Sequence, residues 1–302
     1  MSFKEKIIEN MVEKNLSKSS INNYIRNLEI LNDGELSNLN FLKKKENIMK
    51  KIETKKPNTQ RSYLISIISV LNANEAKKDK LYKFYYDKMM DLNKSLKEQE
   101  QKHEKTETQE KNWIEKDEID KKLNELVDKV KTFDKKNITP KEYDVVLQMI
   151  ILSLYTLQAP RRNADYQYMV VVNNKVPDEK INFLVYEKKE FWFRKYKTAK
   201  TELKDKKELI IEINEKLFDN IKLYFEFHPM IKGKKINDKK EIPFLCDFKG
   251  EPLLQVNSIT YILNRIFKKK IGSSMLRHFY LSEKYFDKVK EMADRSEEHT
   301  SE

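Results

Sequence analysis

The sequence predicts a mainly α-helical protein with a small antiparallel β-sheet, divided into an all-helical first domain and an α+β second domain. Two patterns carry this prediction. Apolar residues recur at helical spacing over most of the chain, and four short runs rich in aromatic and β-branched residues interrupt that spacing in the second half. The 302 residues suggest about two domains, and an aromatic content of 11% is enough for packed cores.

Residues 1–96 have the pattern of a small helical domain. Its clearest helix has an apolar face formed by Ile21, Tyr24, Ile25, Leu28 and Leu31, which Ser17, Ser19 or Ser20 could cap. A second helix is predicted to start after Pro57 and Asn58, with Thr59 as its cap. A third follows from Leu81 to Leu96.

The segment 97–112 contains no apolar residue, so it has nothing to bury in a core. We therefore interpret it as a charged linker or a solvated extension of the preceding helix, and place the domain boundary here. The second domain is predicted to span residues 113–294.

The second domain begins with helices and then changes period. Thr139 and Glu142 form a capping box with Pro140 at the first helical position, and the apolar helix that follows is predicted to be the buried centre of the domain. The strand-like runs are Tyr168–Val172, Phe183–Tyr186, Phe191–Tyr196 and Glu208–Ile213. The last two should pair as a hairpin around a charged tip, 198–207. Helices then return, the final one after Gly272.

Composition excludes several classes of protein. With four glycines there is no glycine-rich phosphate loop, and the single cysteine, Cys246, excludes disulfides and cysteine-based zinc sites. The four histidines are dispersed, so we expect no metal and no cofactor. The most apolar stretch, Val145–Leu157, is too short to cross a bilayer, and the first residues lack a signal-peptide core. We therefore expect an intracellular protein with no membrane partner.

The net charge of +12 favours a polyanionic partner. A lysine-rich composition, of the kind that AT-rich genomes encode, would give the same excess without any partner. The eight arginines are more informative, because the planar guanidinium binds phosphate bidentately where lysine offers a point charge.

Three segments hold candidate functional residues, and each also has an ordinary structural interpretation. Arg161 and Arg162 follow the apolar helix, and Asp165 could simply be their salt-bridge partner. Lys195, Lys197 and Lys200 surround the hairpin tip, which could be a solvated turn. Ser274, Arg277 and His278 lie at a helix start, where anions are favoured, but could form an ordinary helix surface.

Taken in this order, behind a helical domain, these segments make the chain resemble the tyrosine recombinases, or phage-integrase superfamily. The similarity is greatest to the divergent members found in large DNA viruses and mobile elements. It covers nearly the whole chain. Residues 1–96 resemble the helical core-binding domain, and residues 113–294 resemble the catalytic domain.

The resemblance implies specific roles for these residues. Arg162 would be the first catalytic arginine, with Asp165 matching the family's acidic residue three positions later, and Arg277 would be the second. Lys197 would be the hairpin lysine that protonates the leaving 5′ oxygen. Ser274 stands where the family usually has His or Lys, and His278 would buttress the site. The implied reaction is DNA strand transfer through a 3′-phosphotyrosyl intermediate, without metal or nucleotide.

The resemblance also implies double-stranded DNA as the partner and a homotetramer on DNA for the full-length protein. Outside the catalytic set, we expect DNA contacts from Arg161, Lys195, Lys200, Arg26, Arg61 and Arg265. The target site, and the choice between integration, excision and resolution, do not follow from the sequence.

The chain departs from the family after Arg277. The pattern of the family's last box begins at 291–294 and then breaks, and residues 295–302 resemble a translated sequencing adapter. We expect a non-native tail on a truncated chain, with a natural polar tail as the alternative. Tyr280 and Tyr285 lie too close to Arg277 to be the nucleophile, so we expect no DNA cleavage by this chain alone. A non-catalytic DNA-binding protein on the same fold and a type IB topoisomerase stay open as alternatives.

Overall fold

The computed structural model describes residues 1–74, 79–101, 110–203, 206–238 and 241–284. It is mainly helical, with a small mixed sheet of five strands. The chain divides into two compact units, Met1–Thr106 and Glu107–Glu302, and the division falls inside the segment 97–112 that we interpret as a linker. The expected tail at 295–302 lies outside the described residues. Within the described residues, no helix combines the length and the apolar character that a membrane span requires.

The described part of the first unit has five α-helices and one short 3₁₀ helix, Asn40–Lys43. The α-helices are α1 (Phe3–Glu13), α2 (Lys18–Asn32), α3 (Lys45–Glu53), α4 (Pro57–Ala73) and α5 (Lys80–Gln101). Ser17 caps α2, accepting a hydrogen bond from the Ser20 N–H, which resolves the three-way choice left by the sequence. The cap predicted for α4 was wrong. That helix starts at Pro57, which has no N–H to leave unpaired, so Thr59 lies inside its first turn.

The core of the first unit is the apolar face that the helical spacing predicted. Ile25, Leu28, Leu64 and Ile67 are all at most 4% exposed, and α4 packs against both α2 and α5. Two buried polar side chains, Asn27 and Ser66, lie within this core. They satisfy each other, because the Asn27 amide donates to the Ser66 hydroxyl at 2.9 Å.

The second unit has seven helices and five strands in its described part. The helices are α6 (Lys116–Lys131), α7 (Pro140–Thr156), α8 (Asn163–Gln167), α9 (Ala199–Glu202), α10 (Glu215–Phe225), α11 (Ser258–Phe267) and α12, which begins at residue 273 and is described to residue 284. The capping box of Thr139 and Glu142 is present as predicted. α7 contacts α6, α10 and α11 and is buried on nearly all sides, as an all-round apolar helix must be.

The sheet has the order β4-β3-β2-β1-β5. Its strands are β1 (Met169–Val172), β2 (Asn182–Val185), β3 (Glu190–Phe193), β4 (Leu209–Glu212) and β5 (Ile242–Pro243). β3 and β4 pair antiparallel, as the predicted hairpin requires. The expectation of a purely antiparallel sheet was wrong, because β1 and β2 pair in parallel. The loop between them returns the chain to the same end of the sheet before β2 begins.

A closed set of polar groups lies inside the second unit, and we call it the buried histidine cluster: His228, Cys246, Tyr143 and Tyr224. The Nδ1 of His228 accepts a hydrogen bond from the Met230 N–H, and its Nε2 lies 2.9 Å from the carbonyl oxygen of Pro243. Both bonds fit a neutral ring with its proton on Nε2. Burial lowers the pKa of His228 to about 4. Tyr143 donates to the Cys246 carbonyl oxygen at 3.2 Å, and burial raises the pKa of the Cys246 thiol.

Candidate active site

The first two candidate arginines, Arg161 and Arg162, lie in the turn between α7 and α8, and these two helices hold the turn in place. α7 ends at Thr156 within the core, and the short helix α8 starts at Asn163. Arg162 directly precedes α8, and its backbone N–H donates to the Asp165 carboxylate at 3.2 Å. This bond closes the first turn of α8. The half-buried Arg162 side chain then lines two neighbouring concavities.

Arg161 has a different environment. Its Nε lies 3.4 Å from the carboxylate of Asp165, and its guanidinium lies over the rings of Phe193 and Tyr196, at 4.9 and 4.6 Å from their centroids. Burial raises the pKa of Asp165, and the positive charge of Arg161 opposes that rise. The salt bridge that the sequence left open is therefore formed by Arg161. We expected this residue to contact DNA, whereas the structure leaves only 19% of its side chain exposed.

The predicted hairpin lysine faces the same space as Arg162. Lys195 and Lys197 follow β3, both are exposed, and both line a cleft of about 1170 Å³ together with Arg162. We call this concavity the arginine–lysine cleft. Within the described part of the chain, none of these three cations is in an ion pair with a carboxylate, so each is available to an incoming anion.

One buried side chain ties the lysine segment to the arginine turn. Asn182, at the start of β2, is 2% exposed. Its amide nitrogen donates to the carbonyl oxygens of Asp165 and Lys195, both at 3.0 Å. Its amide oxygen accepts from the N–H groups of Arg194 and Lys195, at 3.0 and 2.9 Å. Because these four bonds span both segments, Asn182 fixes the separation between Arg162 and the lysines.

Arg194, by contrast, is used inside the fold. Its side chain is 5% exposed, and its Nε donates to Glu208 at 2.8 Å. Its Nη1 donates to the carbonyl oxygens of Pro177 and Glu179. Through Nε and Nη1 this guanidinium binds groups of the chain itself and holds the loop between β1 and β2.

The amino end of α12 lies beside the arginine turn. Ser274 is exposed and lines the smaller concavity, of about 400 Å³, which Arg162 also lines. Arg277 is half-buried. Burial raises the pKa values of the Tyr155 and Tyr166 hydroxyls, and the positive charge of Arg277 opposes both shifts. Arg277 therefore lies near the carboxyl end of α7 and α8, the part of the fold that presents Arg162.

The remaining expected residues lie elsewhere. His278 is exposed and directly follows Arg277, and adjacent positions on a helix diverge by about 100°. Its role as a buttress of the site stays a prediction. Arg265 is exposed on α11 and pairs with Asp144 of α7. Arg26 and Arg61 are exposed on helices of the first unit. Lys200 lies in α9, and its side chain is outside the described part.

One acidic residue lies beside the arginines. Thr198 donates to the Glu202 carboxylate, and that hydrogen bond is the main reason why the pKa of Glu202 lies below its usual value. The Tyr196 hydroxyl and the charges of Arg161 and Arg162 act in the same direction. The Glu202 carboxylate thus lies within the positive field of the two arginines.

Sequence reasoning missed Asn182 and Glu202. An amide that opens an otherwise apolar strand is a usable signal for Asn182, because such a side chain needs partners where it is buried. Nothing local marks Glu202 among the many acidic residues of the chain. Within the described residues, no group of three or more His, Cys, Asp or Glu side chains is arranged to hold a metal ion. Comparison of the chain with protein-family models, curated proteins and solved structures finds no match.

Proposed function

We propose that this chain binds double-stranded DNA and that its second unit is the catalytic part of a tyrosine-type DNA strand transferase, a recombinase or integrase. The observation that carries the proposal is that Arg162 and Lys197, from separate segments, line one cleft without ion-pair partners in the described part of the chain. Phosphoryl transfer needs a guanidinium for the non-bridging oxygens and a proton donor for the leaving oxygen. These two residues supply both.

In the proposed reaction, a tyrosine hydroxyl gives its proton to solvent water as its oxygen attacks a DNA phosphodiester. A bond forms between the tyrosine oxygen and phosphorus, and the bond from phosphorus to the 5′ oxygen breaks. Arg162 and Arg277 stabilise the negative charge on the non-bridging oxygens, and Lys197 gives its proton to the leaving 5′ oxygen. Attack by a 5′ hydroxyl reverses the step and rejoins the strand. We assign the nucleophile to no tyrosine among the described residues.

The first unit would add phosphate contacts through the exposed arginines Arg26 on α2 and Arg61 on α4. Such contacts carry no sequence information but raise affinity and make it dependent on salt. Assembly as a homotetramer on two duplexes belongs to the same proposal.

The test of DNA binding is fluorescence anisotropy of a labelled duplex, titrated with the full chain at several salt concentrations. We expect Arg162→Ala and Arg277→Ala to weaken binding about tenfold or more, and Lys197→Ala somewhat less. Each lost phosphate contact should reduce the slope of log K against log salt by about one. Lys216→Ala, an exposed lysine on α10 away from the cleft, is the matched control. Wild-type affinity and slope for Arg162→Ala would refute the cleft as the phosphate site.

Two features favour a second candidate function, a DNA-binding protein without chemistry. Ser274 replaces the usual His or Lys, and His278 is exposed. The two functions are separated by a duplex that carries a p-nitrophenyl ester on the 3′ phosphate at a nick, so that water can replace the tyrosine as nucleophile. Release of p-nitrophenol that the chain accelerates and that Arg162→Ala slows supports the enzyme, whereas tight binding without acceleration supports the binding protein.

A further inference from the structure

Tyr168 presents a free aromatic ring on a fixed backbone. It directly follows α8 and precedes β1, and its N–H donates to the Ala164 carbonyl oxygen at 3.3 Å. The side chain is 51% exposed. Within the described part of the chain, its hydroxyl makes no hydrogen bond and its ring packs on no other aromatic ring. About half of the ring is therefore open to a partner from outside the fold.

The ring stands on the wall between the two concavities of the site. Five residues line both the arginine–lysine cleft and the smaller concavity, and so form this wall: Arg162, Ala164, Gln167, Tyr168 and Leu254. Gln167 donates to the carbonyl oxygens of Leu253 and Gln255, at 2.6 and 2.9 Å. These bonds hold the 253–255 segment against α8. The wall therefore offers one guanidinium and one exposed aromatic ring, on neighbouring parts of a rigid support.

The chemistry of the cleft favours a nucleotide over a bare polyanion. Four basic side chains line it, but so do the four acidic residues Asp165, Glu179, Glu241 and Glu251. Its lining also includes the apolar residues Met169, Val170 and Ile181. An anion path alone would be uniformly basic. A phosphate beside a neutral, planar base matches a guanidinium beside an aromatic ring, which is the combination that single-strand-binding sites use.

We propose that Tyr168 stacks on an unpaired base of the DNA strand whose phosphate Arg162 binds. The preferred substrate is then DNA with an unstacked nucleotide at the site, not a continuous duplex. This inference rests on the proposed function, and it adds a base-binding residue to a site otherwise built for phosphate.

The experiment compares two duplexes that differ only in one 2-aminopurine, which is paired in the first and an unpaired bulge in the second. Anisotropy of an end label gives the affinity of the full chain, and 2-aminopurine fluorescence reports stacking. We expect the bulged duplex to bind about tenfold more tightly and its fluorescence to be quenched on binding.

Variants assign these effects to the ring. Tyr168→Leu should lose both the preference for the bulge and the quenching, whereas Tyr168→Phe should retain them, because the hydroxyl has no partner in the described chain. Tyr261→Leu removes another exposed tyrosine, 57% exposed on α11, and should behave like the wild type. Thermal unfolding of each variant checks that the fold is intact.

The outcomes separate this inference from the proposed function. If Tyr168→Leu keeps the preference and the quenching while Arg162→Ala still weakens binding, the stacking role is wrong and the proposed function stands. A loss in Tyr168→Leu that is equal for both duplexes would place the ring against the DNA backbone and overturn the stacking role. If Arg162→Ala binds both duplexes as the wild type does, the proposed function itself fails.

Discussion

The buried histidine cluster and the arginine–lysine cleft are both polar groupings within the second unit, and they differ in where their partners are. In the histidine cluster, both ring nitrogens of His228 have partners from the chain itself. In the cleft, Arg162, Lys195 and Lys197 have no carboxylate partner in the described part of the chain, although cations at protein surfaces readily find one. The polar groups of the histidine cluster are satisfied within the fold, whereas the cations of the cleft are open to solvent or to an anionic ligand.

The largest expected effect tests whether the buried histidine cluster is shielded from solvent, with His228 neutral. The folded state keeps the pKa of His228 at about 4, below its usual value of 6.5. Between these values the unfolded chain binds a proton that the folded chain does not, so stability is lost as pH falls through this window. We expect this histidine alone to lower the free energy of unfolding by about 3 kcal/mol between pH 6.5 and pH 4.

Urea unfolding at several pH values measures this loss. His228→Gln is the comparison, because glutamine can both donate and accept but does not titrate, so carboxylate contributions cancel between the two proteins. The wild type should lose about 3 kcal/mol more than the variant over the window. Parallel pH profiles for the two proteins would mean that the ring is solvated or charged, and the cluster would not be closed.

A smaller effect is expected from removing Asn182, the buried side chain that positions the residues of the cleft. Asn182→Ala removes four hydrogen bonds and leaves backbone groups of Asp165, Arg194 and Lys195 without partners. We expect a loss of about 2 kcal/mol in unfolding free energy and about a tenfold loss in DNA affinity, since Lys195 and Lys197 are no longer held opposite Arg162.

Asn220→Ala is the matched control for that variant. Asn220 is 6% exposed and donates to the Ser153 hydroxyl at 2.9 Å, away from the cleft. It should be destabilised while its DNA affinity, measured at a temperature where it is folded, stays unchanged. Equal DNA affinities for both variants would show that the cleft does not depend on Asn182.

The smallest expected effect tests whether an acidic side chain near the arginines competes with DNA phosphate. The Glu202 carboxylate lies in the field of Arg161 and Arg162, so it competes with an incoming phosphate. We expect Glu202→Gln to strengthen DNA binding about threefold at low salt, with the difference shrinking as salt is added. Glu251→Gln is the control, because it removes the same charge from the wall of the arginine–lysine cleft, which Glu202 itself does not line. If both variants gained the same affinity for DNA, the gain would come from the change in net charge and not from the position of Glu202.

Much of the fold could be predicted from the sequence because it depends on local periodicity. The apolar face of α2, the capping box of α7 and the pairing of β3 with β4 are each encoded within a few neighbouring residues. The parallel pairing of β1 and β2 was missed, because the composition of a loop does not determine the direction in which the next strand runs. The start of α4 was missed because two helix-start signals overlapped at Pro57 and Thr59.

For the candidate site, the sequence by itself determined which groups are available: two arginines after a buried helix, a lysine-rich segment after a strand, and an arginine near the start of α12. Only the tertiary structure decided which of these groups face the cleft and which are used within the fold. Arg161 turns toward Asp165 and two aromatic rings, whereas its neighbour Arg162 turns toward the cleft. The physical reason is that burial and pairing depend on residues distant in the chain, such as Asn182 and Phe193, which the folded sheet brings next to the arginine turn.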